Sequence, residues 1–405
     1  MKVRLLAVVS AVALFSASSL PAWSDENGTM GPDHNAGDLA GHADRILVTN
    51  DDGSLSLVVR DPHNGAAPFK EADRINLGLV LPHWPANQYK GNPQWWWVGL
   101  PTGYVWGFKM GQEDKLAELL EPEHQVSVNA YTYDGVTPGL PTAGENFSGV
   151  TPNGKAVWNS AREIDEIQQI DADPHSPTFG TIVTHIPVPL SEMASKATTT
   201  LGRMRPCDMS ITPNGEFLFE PDIGGETVTA VDIKTERVAS QLRLFPLDQS
   251  NPANRVRPFM LTTNGKIALV ELLEGRGAYA VLDVSDPYNM REIKRITQAD
   301  GLGVRPSTNE FSPDGKYAYL ITTGTPTVPG VISVLDLASL NIVNNIALPA
   351  HCTPYAGDFS SDGRHFFVAC PAVNSLAVID TRQQKLMQTV AISGTNPIPR
   401  GVIVR

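Results

Sequence analysis

The sequence predicts an all-β chain of repeated four-stranded antiparallel units. Three observations carry this: a turn phrase returning at a near-fixed period, β-rich runs on both sides of it, and one repeat split between the two ends of the chain. The phrase reads Thr-Pro-Asn-Gly at 151–154 and 212–215, Thr-Thr-Asn-Gly at 262–265, Ser-Pro-Asp-Gly at 312–315 and Ser-Ser-Asp-Gly at 360–363, with a weaker copy, Leu-Pro-Thr-Gly, at 100–103. Its glycines stand 51, 61, 50, 50 and 48 residues apart. A period of this size marks stacked supersecondary units, each burying its apolar faces against its neighbours.

From the start of the chain, residues 1–24 read as an export signal: Lys2 and Arg4, an apolar run from Leu5 to Phe15, then small residues before a cut near Ser24. The apolar run is too short to span a bilayer. Residues 25–43, rich in Gly, Asp, Asn and His, read as a flexible lead-in, and 44–405 as the folded domain. That domain opens with Ile46–Asn50, a turn at Asp51-Asp-Gly53, and Leu55–Val59, which match the second and third strands of a repeat with no first strand before them.

In the full repeats Asn-Gly or Asp-Gly is a hairpin turn, because glycine adopts positive φ without steric cost. Strand-length runs follow, such as Glu216-Phe-Leu-Phe, Lys316-Tyr-Ala-Tyr-Leu-Ile and His365-Phe-Phe-Val-Ala. A third strand ends in aspartate at Asp232, Asp283, Asp336 and Asp380, and a fourth follows, as in Gln388–Ile392. Pro399–Val404 then matches a first strand with nothing after it. Pairing it with the opening strands completes a composite unit and hides both sheet edges. With six internal copies the expected fold is a seven-bladed β-propeller of four-stranded antiparallel blades, its ring closed between the two chain ends.

A proline, five residues and then [Ser/Thr]-Pro-[Asn/Asp]-Gly, as in 206–215 and 306–315, followed by an [Ala/Ser]-Val-[Ile/Leu]-Asp strand, resembles the YVTN-type propellers of bacteria and archaea. The likeness is good over 205–404 and fades over 44–204. The resemblance implies the fold. Its relatives include periplasmic binding proteins, lactonase-like hydrolases, and propellers of redox enzymes of the nitrous-oxide-reductase kind, so it leaves function open.

A net charge of −12 argues against nucleic acid and anionic membranes as partners. Of three cysteines, Cys352 is placed at the start of a first strand and Cys370 at the end of the second strand of the same blade, within bridging reach in an oxidising compartment. Cys207 sits three blades away and is expected as an unbridged, packed thiol. Neither spacing fits zinc.

Residues at the start of each first strand are expected at the mouth of the central funnel. They are Glu145 and Asn146, Arg203 and Arg205, Arg255 and Arg257, Arg305, His351 and Arg400. Arg205, Arg257, Arg305, His351, Arg400 and Glu145 therefore form the candidate ligand site, with the guanidinium groups matching carboxylate, phosphate or sulfonate. The competing reading is an internal ion-pair network with Asp51, Asp52, Asp222, Glu226, Glu271 and Glu274, placed in or near funnel-side loops.

Nine histidines lack the pattern of a copper-binding propeller, since only His351 falls at a funnel position, and no metal site is predicted. Isolated His34 and His42 in the lead-in read as solvated. Trp84, Trp95, Trp96, Trp97 and Trp106 crowd one region, as a stacking platform or, more simply, as packing between blades. Residues 172–203 lengthen one repeat and are expected as a lid over the mouth.

Nucleophile-elbow, zinc-protease, haem-attachment and dinucleotide motifs are absent, which leaves the cofactor unspecified. A metal-assisted carboxylate cluster of Glu145, Asn146 and Asp208 is the catalytic possibility. The expected function is an exported, periplasmic or secreted propeller that binds a small anionic ligand or a periplasmic protein partner at its funnel, without catalysis of its own. The competing expectation is an enzyme: a lactone hydrolase, or a propeller subunit of a periplasmic oxidoreductase, including a copper-dependent one.

Overall fold

A computed structural model describes residues 45–76, 95–100, 104–110, 120–127, 148–196 and 202–404, apart from positions 62, 66, 163 and 252. The described chain is almost entirely antiparallel sheet. Strands β1 (Arg45–Asn50), β2 (Ser54–Arg60) and β3 (Phe69–Asn76) form a four-stranded sheet with β27 (Pro399–Val404), in the order β27-β1-β2-β3. A three-stranded sheet follows, of β4 (Trp95–Leu100), β5 (Tyr104–Met110) and β6 (Leu120–Ser127). The next holds β7 (Ser148–Val150), β8 (Ala156–Ala161), β9 (Glu166–Asp171) and β10 (Ile182–Pro187).

Three regular meanders come next. They are β11 (Ser210–Ile211), β12 (Phe217–Asp222), β13 (Thr227–Asp232) and β14 (Arg237–Arg243); β15 (Pro258–Thr263), β16 (Ile267–Leu272), β17 (Ala278–Asp283) and β18 (Arg291–Ile296); and β19 (Pro306–Phe311), β20 (Tyr317–Thr322), β21 (Val331–Asp336) and β22 (Asn341–Ala347). The last sheet holds β23 (Gly357–Phe359), β24 (His365–Cys370), β25 (Ser375–Asp380) and β26 (Lys385–Ala391). This is a β-propeller with six four-stranded blades among the described residues, and the three-stranded sheet holds the place in chain order where a seventh is expected.

The inner strands identify themselves by contact. β4 touches β7, β7 touches β11, and the series continues through β15, β19 and β23 to β27. First strands therefore surround the axis. Apolar residues fill the spaces between successive blades: Phe219, Val228 and Ala230 pack with Leu261, Ala268 and Val270, and Leu269, Tyr279 and Val281 with Ala318, Leu320 and Leu335.

The turn phrase has a structural cause. Gly154, Gly215, Gly315 and Gly363 adopt φ of 68°, 71°, 68° and 67°. The hydroxyl three residues earlier donates to the Asn or Asp side chain, as Ser312 does to Asp314 at 2.7 Å, and accepts from the returning strand, as from Tyr317 N–H at 3.0 Å. Thr151, Thr212 and Ser360 repeat both contacts. The 262–265 copy lacks the proline and turns more tightly. Thr263 pairs with Ala268 there, enclosing residues 264–267, whereas Phe311 pairs with Ala318 and encloses 312–317.

Two local expectations change. Ile182–Pro187 inside the supposed lid is the fourth strand β10, and beyond it Val188 and Ala194 pack with Met204, Leu218 and Val231 of the next blade. Their apolar side chains hold the described part of the insertion, including the short helix α1 (Glu192–Lys196), against the sheets. Residues 197–201 lie outside the described residues, as do His34, His42, Trp84 and the side chains of Trp95, Trp96 and Trp106. Trp97 is fully buried with its ring edge-on to Phe179, a packing role.

Cys352 and Cys370 are joined by a disulfide, and Cys207 is buried and in no disulfide. Cys352 does not start β23, which begins only at Gly357; the bridge ties the segment leading into that strand to the end of β24. With a sequence separation of 18, the chain-entropy estimate gives the bridge about 3 kcal/mol. The expected result is a urea midpoint lowered by that amount in the Cys352→Ala, Cys370→Ala double variant, measured without reductant. An unchanged midpoint would remove the bridge from the account of stability.

Candidate functional site at the funnel mouth

The start of each inner strand is fixed by one recurring pair of contacts. Pro206, Pro258, Pro306 and Pro399 bridge to Asp222, Leu272, Thr322 and Asn50 of their second strands. The preceding carbonyls, of Arg205, Arg257, Arg305 and Ile398, accept from Ile223, Leu273, Thr323 and Asp51 N–H at 3.2, 2.9, 2.8 and 3.1 Å. Three arginines thus share one place in the fold. In the composite blade that place belongs to Ile398, and Arg400 lies two residues further along β27. Arg205, Arg305 and Ile398 take φ of 55°, 59° and 52°, a left-handed conformation that costs a non-glycine residue on the order of 1–2 kcal/mol.

The five predicted site residues that are described differ in their surroundings. Arg400 Nε bonds Asp51 Oδ2 at 3.0 Å while its guanidinium lies 4.6 Å from the centre of the Tyr355 ring. Arg205 is half-buried and its N–H donates to Asp165 Oδ1 at 2.8 Å. His351 is exposed beside the disulfide, Arg257 and Arg305 are exposed with no ion pair among the described residues, and Glu145 and Asn146 lie outside those residues. The ion-pair reading is met in part, by Arg400 with Asp51 and Arg255 with Glu226, while Arg203 pairs with Asp165, an acid outside the expected set. Asp52 pairs instead with Arg74 and Glu274 with Arg295, neither of them a predicted partner.

Asp222 and Glu271, expected as loop partners of the arginines, are instead buried near the ends of β12 and β16. Their position reflects the two-residue strand alternation, which turns Glu220 and Asp222 to one face. Asp222 Oδ2 accepts from Thr227 and Thr229 hydroxyls, each at 2.7 Å, and Glu220 Oε2 accepts from Ser160 at 2.9 Å. Asp208 Oδ2 accepts from Leu261 N–H of the next blade at 2.8 Å. Burial pushes Asp208 and Asp222 up to about 7, the hydrogen bonds opposing it. Burial raises Glu220 and Glu271 well above the carboxylate range, with Asp222 adding to the first and Asp208 to the second.

A cavity of about 320 Å³ opens at this mouth between the blades of β15–β18, β19–β22 and β23–β26. Phe259, Glu271, Arg276, Arg305, Ser307 and Tyr355 are among the residues lining it. Arg305 is the member of the predicted set that lines it, and Arg400 reaches its wall through the Tyr355 ring. Arg276, which the sequence reading missed, follows Gly275 in the loop after β16, where no repeat pattern points to it. Among the described residues no group of three or more His, Cys, Asp or Glu is arranged to hold a metal. Asp208, through its Leu261 bond, ties two blades together. The site's chemistry is therefore that of guanidinium groups at an open mouth beside a buried carboxyl whose proton affinity burial raises.

No protein-family model matches the chain, and no curated protein sequence matches it. Solved structures do. The chain is similar to the periplasmic gluconolactonase PpgL of Pseudomonas aeruginosa, with TM-score 0.62, 17% identity, and 89% of this chain and 99% of that one covered. It is similar to hydrazine synthase of Kuenenia stuttgartiensis, with TM-score 0.56, 12% identity and coverages of 80% and 96%. It is similar to the dihydro-heme d1 dehydrogenase NirN, with TM-score 0.54, 11% identity and coverages of 89% and 74%. The fold is a propeller. Identities this low show the fold alone, and the YVTN resemblance goes no further than that.

Proposed function

We propose that this chain is an exported propeller whose funnel mouth binds a small anionic ligand. One observation carries the reading: a cavity of about 320 Å³, of a size suited to small molecules, lined by Arg276 and Arg305 with no ion pair to either guanidinium among the described residues. Charged groups left without partners beside a pocket are available to a ligand of opposite charge. Export is supported by the basic, apolar and small-residue pattern of 1–24 and by a disulfide in the fold.

The test is a thermal-shift screen of small carboxylates, phosphates and sulfonates, repeated on Arg305→Ala. A charge-assisted hydrogen bond is worth about 1.5–3 kcal/mol, so the variant is expected to bind the best anion roughly tenfold to a hundredfold more weakly. Arg291→Ala, which opens an exposed pair with Asp283, is expected to bind as the parent does. If no anion raises the melting temperature, or Arg305→Ala responds like the parent, the reading is wrong.

A second reading is favoured by Glu271, whose carboxyl, its proton affinity raised by burial, lines the cavity as a general acid would, and by the likeness to a gluconolactonase. Opening of gluconolactone above its uncatalysed rate, lost in Glu271→Gln, would replace binding by hydrolysis.

A further inference from the structure

The cavity holds two acids, and they differ. Glu274 is fully engaged: Arg295 pairs with one oxygen, and Leu247 N–H donates to the other at 3.0 Å. Glu271 is 2% exposed, lines the same cavity, and has no hydrogen bond to its carboxyl among the described residues. A buried carboxyl without a partner costs folding free energy, and here it belongs to a residue that lines the space a ligand would enter. The guanidinium groups of Arg276 and Arg305 belong to exposed residues, so the cavity is cationic toward solvent and acidic at depth. Phe259 and Tyr355 supply ring surface between them.

We infer that the ligand is an amino acid or a closely related zwitterion, its carboxylate held by Arg305 and Arg276 at the mouth and its ammonium donating to Glu271 inside. This rests on the anion-binding reading above and names the ligand's second charge. A plain carboxylic acid satisfies the mouth and leaves Glu271 as it was. An ammonium gives the buried carboxyl the partner it lacks, a charge-assisted hydrogen bond that offsets desolvation where the ammonium's remaining protons are also satisfied.

Glu271 faces Asp208 from the segment before β11 and Tyr279 from β17, with Glu274, Arg276 and Arg305 around the same cavity. Burial first, and Asp208 second, raise its proton affinity well above that of an ordinary carboxylate in the empty site. Seating an ammonium lowers that affinity and so favours loss of the proton from Glu271, whereas seating a plain acid does not.

The experiment is calorimetric titration of the full chain with two matched pairs, L-phenylalanine against hydrocinnamate and γ-aminobutyrate against butyrate, in two buffers of different ionisation heat. The amino member of at least one pair is expected to bind about tenfold or more tightly than its counterpart and to release a proton. Glu271→Gln keeps the shape and is expected to erase both the preference and the release while still binding the plain acid. Arg305→Ala is expected to weaken both members of the pair.

Plain acids that bind as well as amino acids would overturn the inference while leaving anion binding intact. So would a preference or proton release that survives in Glu271→Gln. Absence of binding by all four overturns it too, while the thermal-shift screen and Arg305→Ala judge anion binding separately.

Discussion

Deleting residues 399–405 is expected to abolish cooperative unfolding and leave an aggregating chain. β27 pairs with β1 in a defined register, with Ile46 opposite Val404, Leu47 opposite Ile403 and Val48 opposite Val402. Gly401 N–H donates to Thr49 Oγ1 at 2.9 Å, and Val404 N–H to Asp358 Oδ2 of the preceding blade at 2.8 Å. Val402, Ile403 and Val404 are all buried, and burying one such side chain is worth about 1.5–3 kcal/mol. Their joint loss is of the order of a domain's net stability, about 5–15 kcal/mol, and it uncovers β1 as an open edge. Circular dichroism melting with light scattering checks this. A truncated chain that melts as sharply as the parent would refute closure by β27.

The fold is expected to be most stable in mildly acidic solution and to weaken as pH rises through 7. Asp208 and Asp222 are fully buried and hold their protons up to about 7, against a usual value of 3.8. In the unfolded chain both ionise near that usual value. Between 3.8 and about 7 the folded state therefore binds more protons than the unfolded one, and its stability falls with rising pH across this window. A tenfold change in proton affinity corresponds to about 1.4 kcal/mol, so each ionisation costs a few kcal/mol.

Acidification acts in reverse on Asp283, held down to about 2 by Ser285 and Arg291, and on Asp336, held down by Ser339, so stability declines again at low pH. Urea midpoints across the pH range, repeated on Asp222→Asn, provide the check. The variant is expected to flatten part of the loss between about pH 4 and about 7, and a parent curve that is flat between pH 5 and 8 would overturn the account.

The architecture was legible because each blade repeats the same local chemistry. Ser312 with Asp314, and Thr212 with Asn214, write the turn into the sequence, and the split ends write the closure. The site was less legible because it depends on register rather than on motif. Arg400, beside Pro399, was assigned the place that Ile398 occupies, since β27 has no turn of its own from which to count. Glu271 and Asp222 were named as acids near the funnel, but strand alternation, which decides whether a side chain meets water or the core, puts both inside. Arg276 follows a glycine in a loop, and Tyr355 precedes an irregular first strand; neither carries a periodic signal.

The tighter turn at 262–265 reaches further than its own hairpin. It encloses two fewer residues than the turn after Phe311, so the whole inner strand of that blade is drawn along by two positions. An even displacement keeps every side chain on its original face, whereas an odd one would turn the strand inside out. The core is therefore indifferent to the change while the mouth is not: Arg257 is delivered where an unshortened turn would present Arg255, and Arg255 is left to pair with Glu226. Adding or removing residues in pairs at these remote hairpins is thus a way to exchange the groups surrounding the funnel without disturbing the packing between blades. The groups that such a ring presents at its mouth can be changed from its far end.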